Sequence, residues 1–222
     1  MPKTPELFPF DLACLPEVTG PDTLIAGVDE VGRGCLFGPV VAAAILLPFS
    51  QVEQLGSLGV KDSKLLSPKR RTAIAVELQR LGGEYRIGYG RAGEIDRLNI
   101  RQASLQAMGR ALSKLSTAPS LCLLDGRDEI PDLCYPQYPL IKGDKRSLLI
   151  GAASILAKVW RDDLIQRFAL KYPEYDLCNN KGYGTRQHLQ ALQQYGVSPQ
   201  HRLSFRPCQI SPNFKASPRT SG

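Results

Sequence analysis

The sequence predicts an α/β domain: a mixed five-stranded sheet flanked by helices, with a helical C-terminal portion. Five short apolar runs are typical of strands, and longer stretches with helical periodicity lie between and after them. Three strands come early and the later ones alternate with helices, which is the order expected of a mixed sheet covered by helices. The chain has 222 residues, 43% of them hydrophobic, and can therefore bury one sizeable core.

Each element has a local signal in the sequence. The predicted strands are 24–29, 40–47, 84–90, 121–125 and 137–141. The predicted helices are 68–81, 99–115, 146–171 and 186–195. Ser67 and Pro68 are a favourable N-cap and first residue for the helix at 68–81. We expect residues 1–20 to be an N-terminal extension, 21–206 the folded domain and 207–222 a mobile basic tail with few apolar residues.

Positive charge is concentrated in one part of the chain. The sequence has 28 Lys and Arg against 21 Asp and Glu, a formal net charge of +7. Residues 142–206 contain eleven Lys and Arg and five Asp and Glu, which is +6 of that total. This bias is typical of a protein that binds a polyanion such as nucleic acid, although an ordinary basic protein can have the same totals.

Membrane insertion and export are not expected. No stretch approaches the roughly 20 apolar residues of a membrane span, and the proline-interrupted N-terminus has no apolar block after a positive end. The six cysteines are scattered without a CxxC pair, which argues against a zinc ribbon and favours reduced thiols in a cytoplasmic protein. His188 and His201 are interpreted as structural or surface residues.

Carboxylates follow two of the predicted strands. Asp29 and Glu30 end the strand at 24–29, and Asp125 ends the strand at 121–125. If these strands are neighbours, Asp29 and Asp125 converge. Adjacent carboxylates repel each other, more strongly when buried, so a cation must offset them. The alternative is that each acid only caps a helix or forms a turn.

A fourth acid lies on the predicted helix at 146–171. Asp162 continues an apolar stripe, where a carboxylate costs free energy unless it is paired or binds a metal. Asp163 lies only about 100° further round the helix, so periodicity does not choose between them. Lys158 or Arg161 could neutralise either acid as an ion pair. All-oxygen ligation favours Mg²⁺ or Mn²⁺ and, beside a basic surface, predicts metal-assisted attack of water on a phosphodiester.

Three segments have a composition suited to contacts with phosphate or sugar. The Gly-Arg-Gly segment at 32–34 exposes backbone N–H groups and an arginine, or is only a tight turn. Residues 61–64 (KDSK) and 181–185 (KGYGT) combine lysine, hydroxyl and glycine. Tyr183 could stack on a base or sugar, or pack back on the domain.

Together these motifs resemble one family, the type 2 ribonucleases H, or ribonuclease HII. The resemblance rests on seven motifs: VDEVGRGCLFGPVVAAA (28–44), KDSKLLSPKRR (61–71), EIDRLNIRQASLQAM (94–108), LLDG (123–126), IKGDKRSLLIGAASILAKVWRD (141–162), NKGYGTRQHLQAL (180–192) and HRLSF (201–205). They occur in the family's order and cover roughly 25–206. The resemblance implies the ribonuclease H-like α/β fold with a helical C-terminal part, in agreement with the prediction above.

The resemblance also implies roles for individual residues. The catalytic, metal-binding acids would be Asp29, Glu30, Asp125 and Asp162. Asp162 is selected because it directly follows the arginine of the AKVxRD motif, and Asp163 then has a surface or pairing role. The substrate-binding residues would be Gly32, Arg33, Gly34, Ser63, Lys64 and Tyr183. In such proteins the glycine-rich loop reads the 2′-hydroxyl at an RNA–DNA junction, the tyrosine packs on the next deoxy sugar, and the DSK motif grips a phosphate.

The implied activity is endonucleolytic, with Mn²⁺ or Mg²⁺ as cofactor. The implied substrates are RNA–DNA hybrids and duplex DNA containing a single ribonucleotide, which is cut on its 5′ side to leave a 3′-hydroxyl and a 5′-phosphate. A monomer is expected, and no sliding-clamp-binding peptide is evident at the C-terminus. Cys35 and Phe37 depart from the commoner GRGPLAGPV pattern, and Phe37 adds volume just beyond the loop.

Other function classes fit less well. A nucleic-acid binding module without catalysis gains nothing from carboxylates that repel phosphates. A metal-dependent nuclease acting on DNA would not need residues that read a 2′-hydroxyl. A phosphatase for small molecules would not need such a basic flank.

Overall fold

One mixed sheet forms the centre of the protein. The computed structural model describes residues 15–60 and 66–210, so the predicted phosphate-binding residues Ser63 and Lys64 lie outside the described part of the chain. The strands are β1 (Leu24–Val31), β2 (Val40–Pro48), β3 (Glu84–Gly90), β4 (Leu121–Asp125) and β5 (Gln137–Leu140). Their order in the sheet is β3-β2-β1-β4-β5. The predicted five-stranded mixed sheet is confirmed.

Strand β1 occupies the middle of this sheet. It pairs with β2 in antiparallel orientation and with β4 in parallel orientation. β2 and β3 continue the antiparallel side, and β4 and β5 continue the parallel side. β1 and β4 therefore end at the same edge of the sheet. Most of β2 is buried, which explains why it reads as an unbroken apolar run rather than as an alternating one.

Helices cover both faces of the sheet. They are α1 (Gln54–Ser57), α2 (Pro68–Arg80), α3 (Ala92–Leu98), α4 (Ile100–Leu112), α5 (Leu148–Lys171), α6 (Leu177–Asn180), α7 (Arg186–Tyr195) and α8 (Arg206–Gln209). α2 and α5 pack in one core with one face of the sheet, and α4 packs in a second core with the other. None of the helices within the described residues is long and apolar enough to cross a bilayer.

The helix predicted at 99–115 is observed as α4, and the short helix before it, α3, was not predicted. Two helices, α3 and α4, meet at Asn99, whose positive φ of 70° interrupts the helical path. The Asn99 side chain accepts hydrogen bonds from the backbone N–H groups of Arg101 and Gln102 and so caps α4. The predicted cap of α2 is observed, with the Ser67 side chain accepting from the N–H of Arg70.

A third core joins the C-terminal helices to the loop after β1. Its centre is Phe37, which is fully buried and packs its ring against Phe168, Tyr172 and Tyr175. Phe37 therefore fills this core rather than the space above the glycine-rich loop. Cys208 in α8 belongs to the same core, so the predicted start of the tail at residue 207 lies inside a short helix.

Helix α5 lies directly on the central strand. A Cβ atom at Gly27 would come within 2.4 Å of the carbonyl carbon of Leu149, so glycine at this position permits the close approach. The cysteines within the described residues are free thiols, as predicted: Cys35, Cys122, Cys134, Cys178 and Cys208.

Candidate active site

Three of the four predicted acids converge at one edge of the sheet. The parallel register pairs Val28 with Leu124, so the next residues, Asp29 near the end of β1 and Asp125 at the end of β4, lie side by side. Ligand oxygens of Asp29, Glu30 and Asp125 all lie within 4.8 Å of one another. The convergence expected from the two strand ends is therefore present in the structure.

The environment of these acids disfavours three negative charges. Burial, followed by the neighbouring charges of Glu30 and Asp125, raises the pKa of Asp29 well above its usual value. Burial also raises the pKa of Glu30, although a hydrogen bond from Arg33 opposes the effect. Among the described residues, the positive charge near the cluster does not offset the repulsion, and a bound cation would do so.

Hydrogen bonds fix the orientation of each acid. Asp29 accepts from its neighbour's backbone N–H at 2.6 Å and from the Ser154 side chain on α5. Glu30 Oε1 accepts from Arg33 Nη1 at 2.9 Å, whereas the buried Glu30 Oε2 has no hydrogen-bond partner among the described residues. Asp125 Oδ1 accepts from the N–H of Gly143 at 2.7 Å. A buried carboxylate oxygen without a donor fits a hard divalent cation such as Mg²⁺ or Mn²⁺.

Asp162 is not part of this three-acid cluster. Its carboxylate accepts from Lys158 Nζ at 2.8 Å, one turn earlier on α5, and the Asp162 side chain is 16% exposed. Asp163 pairs with Arg167 at 2.9 Å and is 66% exposed, which agrees with the surface role implied for it. Of the two neighbours, Asp162 lies nearer the interior.

A further acid, which the sequence patterns did not single out, follows a residue that bonds the cluster. Asp144 is buried in a short 3-10 helix, Gly143–Lys145, between β5 and α5. The residue before it donates the hydrogen bond to Asp125, so Asp144 is one residue from an atom that contacts the cluster. It had no strand-end or helical-stripe pattern to draw attention to it, and only its place in the IKGDK segment could have suggested it.

Two buried arginines hold the Gly-Arg-Gly loop. Arg202 donates to the carbonyl oxygens of Gly32 (2.7 Å), Arg33 (2.7 Å) and Gly38 (3.1 Å). Arg161 donates to three further backbone carbonyls, including that of Phe37 at 3.0 Å. Both guanidinium groups are fully buried, so they act as fixed cross-links between loops. Of the two cations that could neutralise Asp162 or Asp163, Lys158 pairs with Asp162, whereas Arg161 binds backbone carbonyls.

The glycine at 32 is required by its surroundings. Its φ is +87°, and a Cβ atom there would lie 2.2 Å from Nε of Arg161. Any side chain would therefore displace the arginine that supports the loop. Arg33 and Gly34, by contrast, are exposed, so their backbone is accessible to a ligand.

Tyr183 lies in a second loop that is hydrogen-bonded to the first. The N–H of Leu36 donates to the carbonyl of Gly182 at 2.8 Å. The Tyr183 side chain is 40% exposed, and its ring centroid lies 5.9 Å from Nζ of Lys158. Burial and a hydrogen bond with Cys35 contribute to raising the pKa of Tyr183 to about 12. The structure thus brings together the predicted junction-reading residues that it describes.

A basic cavity of about 520 Å³ opens beside the acids. Glu30 and Asp125 form part of its wall, and Arg127 and Lys142 add positive charge. Arg101, which also lines it, forms a two-point ion pair with Asp128, at 2.6 and 2.8 Å. This combination of acids and bases suits a phosphate backbone passing next to bound cations.

Comparison with known proteins identifies similar chains. The family model described as Ribonuclease HII matches residues 26–208. A "Ribonuclease HII" of a Nostoc species is 59% identical over 190 residues, covering 86% of this chain and 84% of the relative. One from Trichodesmium erythraeum is 58% identical over 188 residues, covering 85% and 89%.

Solved structures share the fold. The ribonuclease H2 of Pyrococcus horikoshii has a TM-score of 0.73 and 27% identity, covering 84% of this chain and 96% of that one. Bst-RNase HIII, solved in complex with Mn²⁺, has a TM-score of 0.69 over 90% of this chain and 72% of its own, at 16% identity. The second likeness concerns the fold alone.

Proposed function

This chain belongs to the ribonuclease HII family, and from that premise we propose that it is an endoribonuclease acting on the RNA strand of RNA–DNA hybrids. We further propose that it cuts 5′ to a single ribonucleotide in duplex DNA and leaves a 3′-hydroxyl and a 5′-phosphate. The observation that carries the proposal is the cluster of Asp29, Glu30 and Asp125, next to an accessible Gly-Arg-Gly loop.

The acid cluster is the proposed binding site for Mg²⁺ or Mn²⁺. Asp29, Glu30 and Asp125 supply hard oxygen ligands, and the unpartnered Oε2 of Glu30 is available for one coordination bond. When bound, divalent cations supply Lewis-acid activation of water and stabilise charge on the leaving 3′-oxygen. The protein's own contribution is to orient the carboxylates through hydrogen bonds from Ser154, Arg33 and the N–H of Gly143, and to orient the phosphodiester. This chemistry needs no protein nucleophile.

A fourth carboxylate has two candidates. The family resemblance implies Asp162. Asp144 is the alternative, because it is buried and follows Gly143, whose N–H donates to Asp125. The Asp144→Asn and Asp162→Asn variants decide between the two residues when their cleavage rates are compared at saturating metal. Replacing the metal ligand should abolish cleavage, whereas replacing the other acid should leave most of it.

Junction recognition is proposed for the two linked loops. Exposed backbone at Arg33 and Gly34 would contact the 2′-hydroxyl, and the partly exposed ring of Tyr183 would pack on the following deoxy sugar. The Arg33–Glu30 hydrogen bond at 2.9 Å joins the loop to the metal ligands, so recognition and chemistry share one contact. Ser63 and Lys64 are proposed to grip a phosphate.

A cleavage assay tests this function. The substrates are end-labelled duplexes with one ribonucleotide, with DNA only, and with a long RNA–DNA hybrid, each with Mg²⁺, Mn²⁺ or chelator. We expect one cut 5′ to the ribonucleotide, cleavage of the hybrid, and neither reaction with chelator or with Asp29→Asn. Cleavage of the long hybrid but not of the duplex with one ribonucleotide would refute the proposed junction recognition. Binding without cleavage under every metal would make the protein a binding module.

A further inference from the structure

The two histidines of the chain meet in the interior, next to Tyr183. His188 lies in the first turn of α7 and His201 in the loop after it, and both are almost completely buried. Their Nε2 atoms are 3.1 Å apart. His188 Nδ1 lies 2.9 Å from the carbonyl oxygen of Tyr183, and His201 Nδ1 lies 2.9 Å from the backbone nitrogen of Ser198.

The ends of this chain of contacts fix the proton on each ring. The backbone N–H of Ser198 can only donate, so His201 Nδ1 must accept and its proton must be on Nε2. His201 Nε2–H then donates to His188 Nε2, which carries no proton. His188 therefore has its proton on Nδ1 and donates to the carbonyl of Tyr183, which can only accept. Both rings are neutral in this arrangement, in which Nδ1 of His201 also accepts from the Ser198 hydroxyl at 2.9 Å.

We propose that His188 and His201 are positioning residues that set the place of Tyr183 through this neutral chain, Ser198–His201–His188–Tyr183. The inference rests on the proposed function, in which Tyr183 contacts the sugar after the ribonucleotide. A proton added to either ring would set two N–H groups against each other, either between the rings or between His201 and Ser198. The Nδ1–H of His188 would remain, but the repulsion would push the rings apart and shift this donor, which holds the backbone carbonyl of Tyr183 together with the N–H of Thr185.

The surroundings keep the pair neutral. The Tyr175 ring packs on both imidazoles, with centroids 4.7 Å from His201 and 5.9 Å from His188. Burial lowers the pKa of His201 to about 3 and also lowers that of His188, for which Asp176 is a weaker opposing charge. A pair intended to exchange protons with substrate would need access to solvent, and this pair lacks it.

Phe37 joins the pair to the glycine-rich loop. Its ring contacts His201 edge-on at 5.0 Å, and its backbone forms a bridge with the same residue. The carbonyl of Gly182, the residue before Tyr183, accepts from the N–H of Phe37 at 3.3 Å. The two loops that would read the junction are thus held in a common frame, which includes the bulky residue that departs from the family pattern.

Nuclear magnetic resonance tests the proton positions without any activity measurement. Long-range ¹H–¹⁵N correlations on tag-free protein report each ring's tautomer, and only two histidines contribute because the chain has no others. We expect one ring with its proton on Nδ1 and the other with its proton on Nε2, both unchanged between pH 8 and pH 6. The same tautomer on both rings, or titration of either ring near pH 6.5, would refute the proposed series of hydrogen bonds from Ser198 to Tyr183.

Kinetics test the positioning role with graded variants. His188→Asn keeps an N–H donor near the Tyr183 carbonyl, whereas His188→Leu removes it. We expect His188→Leu to lower kcat/KM on the single-ribonucleotide duplex about tenfold, the order of one hydrogen bond, with a smaller loss on the long hybrid. His188→Asn should recover most of the loss. Gln190→Leu, an exposed change in the same helix, serves as the matched control.

The Tyr183→Ala background separates positioning from general damage. If His188 acts through Tyr183, His188→Leu has little further effect once the ring is absent. Equal losses in both backgrounds, or equal losses on both substrates, overturn the positioning role. If the parental protein cuts neither substrate, the proposed function is refuted instead. The tautomer measurement still decides whether the hydrogen bonds between Ser198, the two histidines and Tyr183 are present.

Discussion

Replacing Arg202 by methionine should destabilise the protein strongly. Arg202 is fully buried and donates three hydrogen bonds to backbone carbonyls of the segment 32–38. Burial lowers its pKa to about 10, so the side chain stays charged at neutral pH. Hydrogen bonds to charged groups contribute about 1.5–3 kcal/mol each, and part of that gain is offset by desolvation of the charge. We therefore expect a net loss of about 3–5 kcal/mol.

Thermal unfolding followed by circular dichroism measures the effect. For a domain of this size the loss corresponds to a fall in Tm of about 6–20 °C. Arg206→Met makes the same change in charge at an exposed position four residues later, and should shift Tm by no more than about 2 °C. The reasoning is refuted if Arg202→Met melts as close to the parent as Arg206→Met does.

Three further predictions concern the acids and the histidines. Asp29→Asn should lower the cleavage rate about a thousandfold, because several kcal/mol of transition-state stabilisation are lost, and near-parental cleavage would contradict this. In chelator its Tm should be unchanged or higher, because the repulsion between the acids is relieved. Mg²⁺ at about 100 times its Kd should add about 2.7 kcal/mol of stability to the parent and none to Asp29→Asn, measured by Tm with and without chelator; an equal shift in both would place the ion elsewhere. Because the pKa values of His188 and His201 are lowered in the folded protein, the unfolded chain binds more protons below about pH 6.5. The free energy of unfolding should therefore fall as the pH decreases below that value, by up to about 1.4 kcal/mol per pH unit for each ring. Denaturant titrations at pH 7 and 5 measure it, and a His188→Asn/His201→Gln variant with the same slope would show that other groups cause it.

The sheet was predictable because its strands are locally distinct. Each strand is an apolar run that ends in glycine, proline or charge, and the strand-end acids follow from the same runs. Helix α3 was not predicted, because its seven residues, Ala92–Leu98, are too few to show a clear helical period. Local sequence patterns therefore predict long elements more reliably than short ones.

Residues of the candidate site that a local sequence pattern indicates were predicted, whereas residues whose role depends on tertiary contacts were not. Asp29, Glu30 and Asp125 were found from two strand ends. Arg202 was missed because its role comes from atoms far along the chain, such as the carbonyl of Gly32, 170 residues before its donor. The histidines were interpreted as structural or surface residues, which agrees with their burial, but no sequence pattern indicated that they contact each other. Periodicity carries no information about such contacts.

Buried positive and negative charges have different surroundings in this protein. The difference separates the residues that stabilise the fold from those that would bind a ligand. The positive charges, Arg161 and Arg202, each donate three hydrogen bonds to backbone carbonyls, so their burial is compensated within the chain. The negative charges at the strand ends are not compensated to the same degree, since Glu30 Oε2 lacks a partner among the described residues and the pKa of Asp29 is raised. A fold that needed these acids only for stability would be improved by replacing them with neutral side chains. The uncompensated cluster is therefore best explained by a cation and a phosphodiester that complete it, while the arginines fix the loop beside which that substrate would bind.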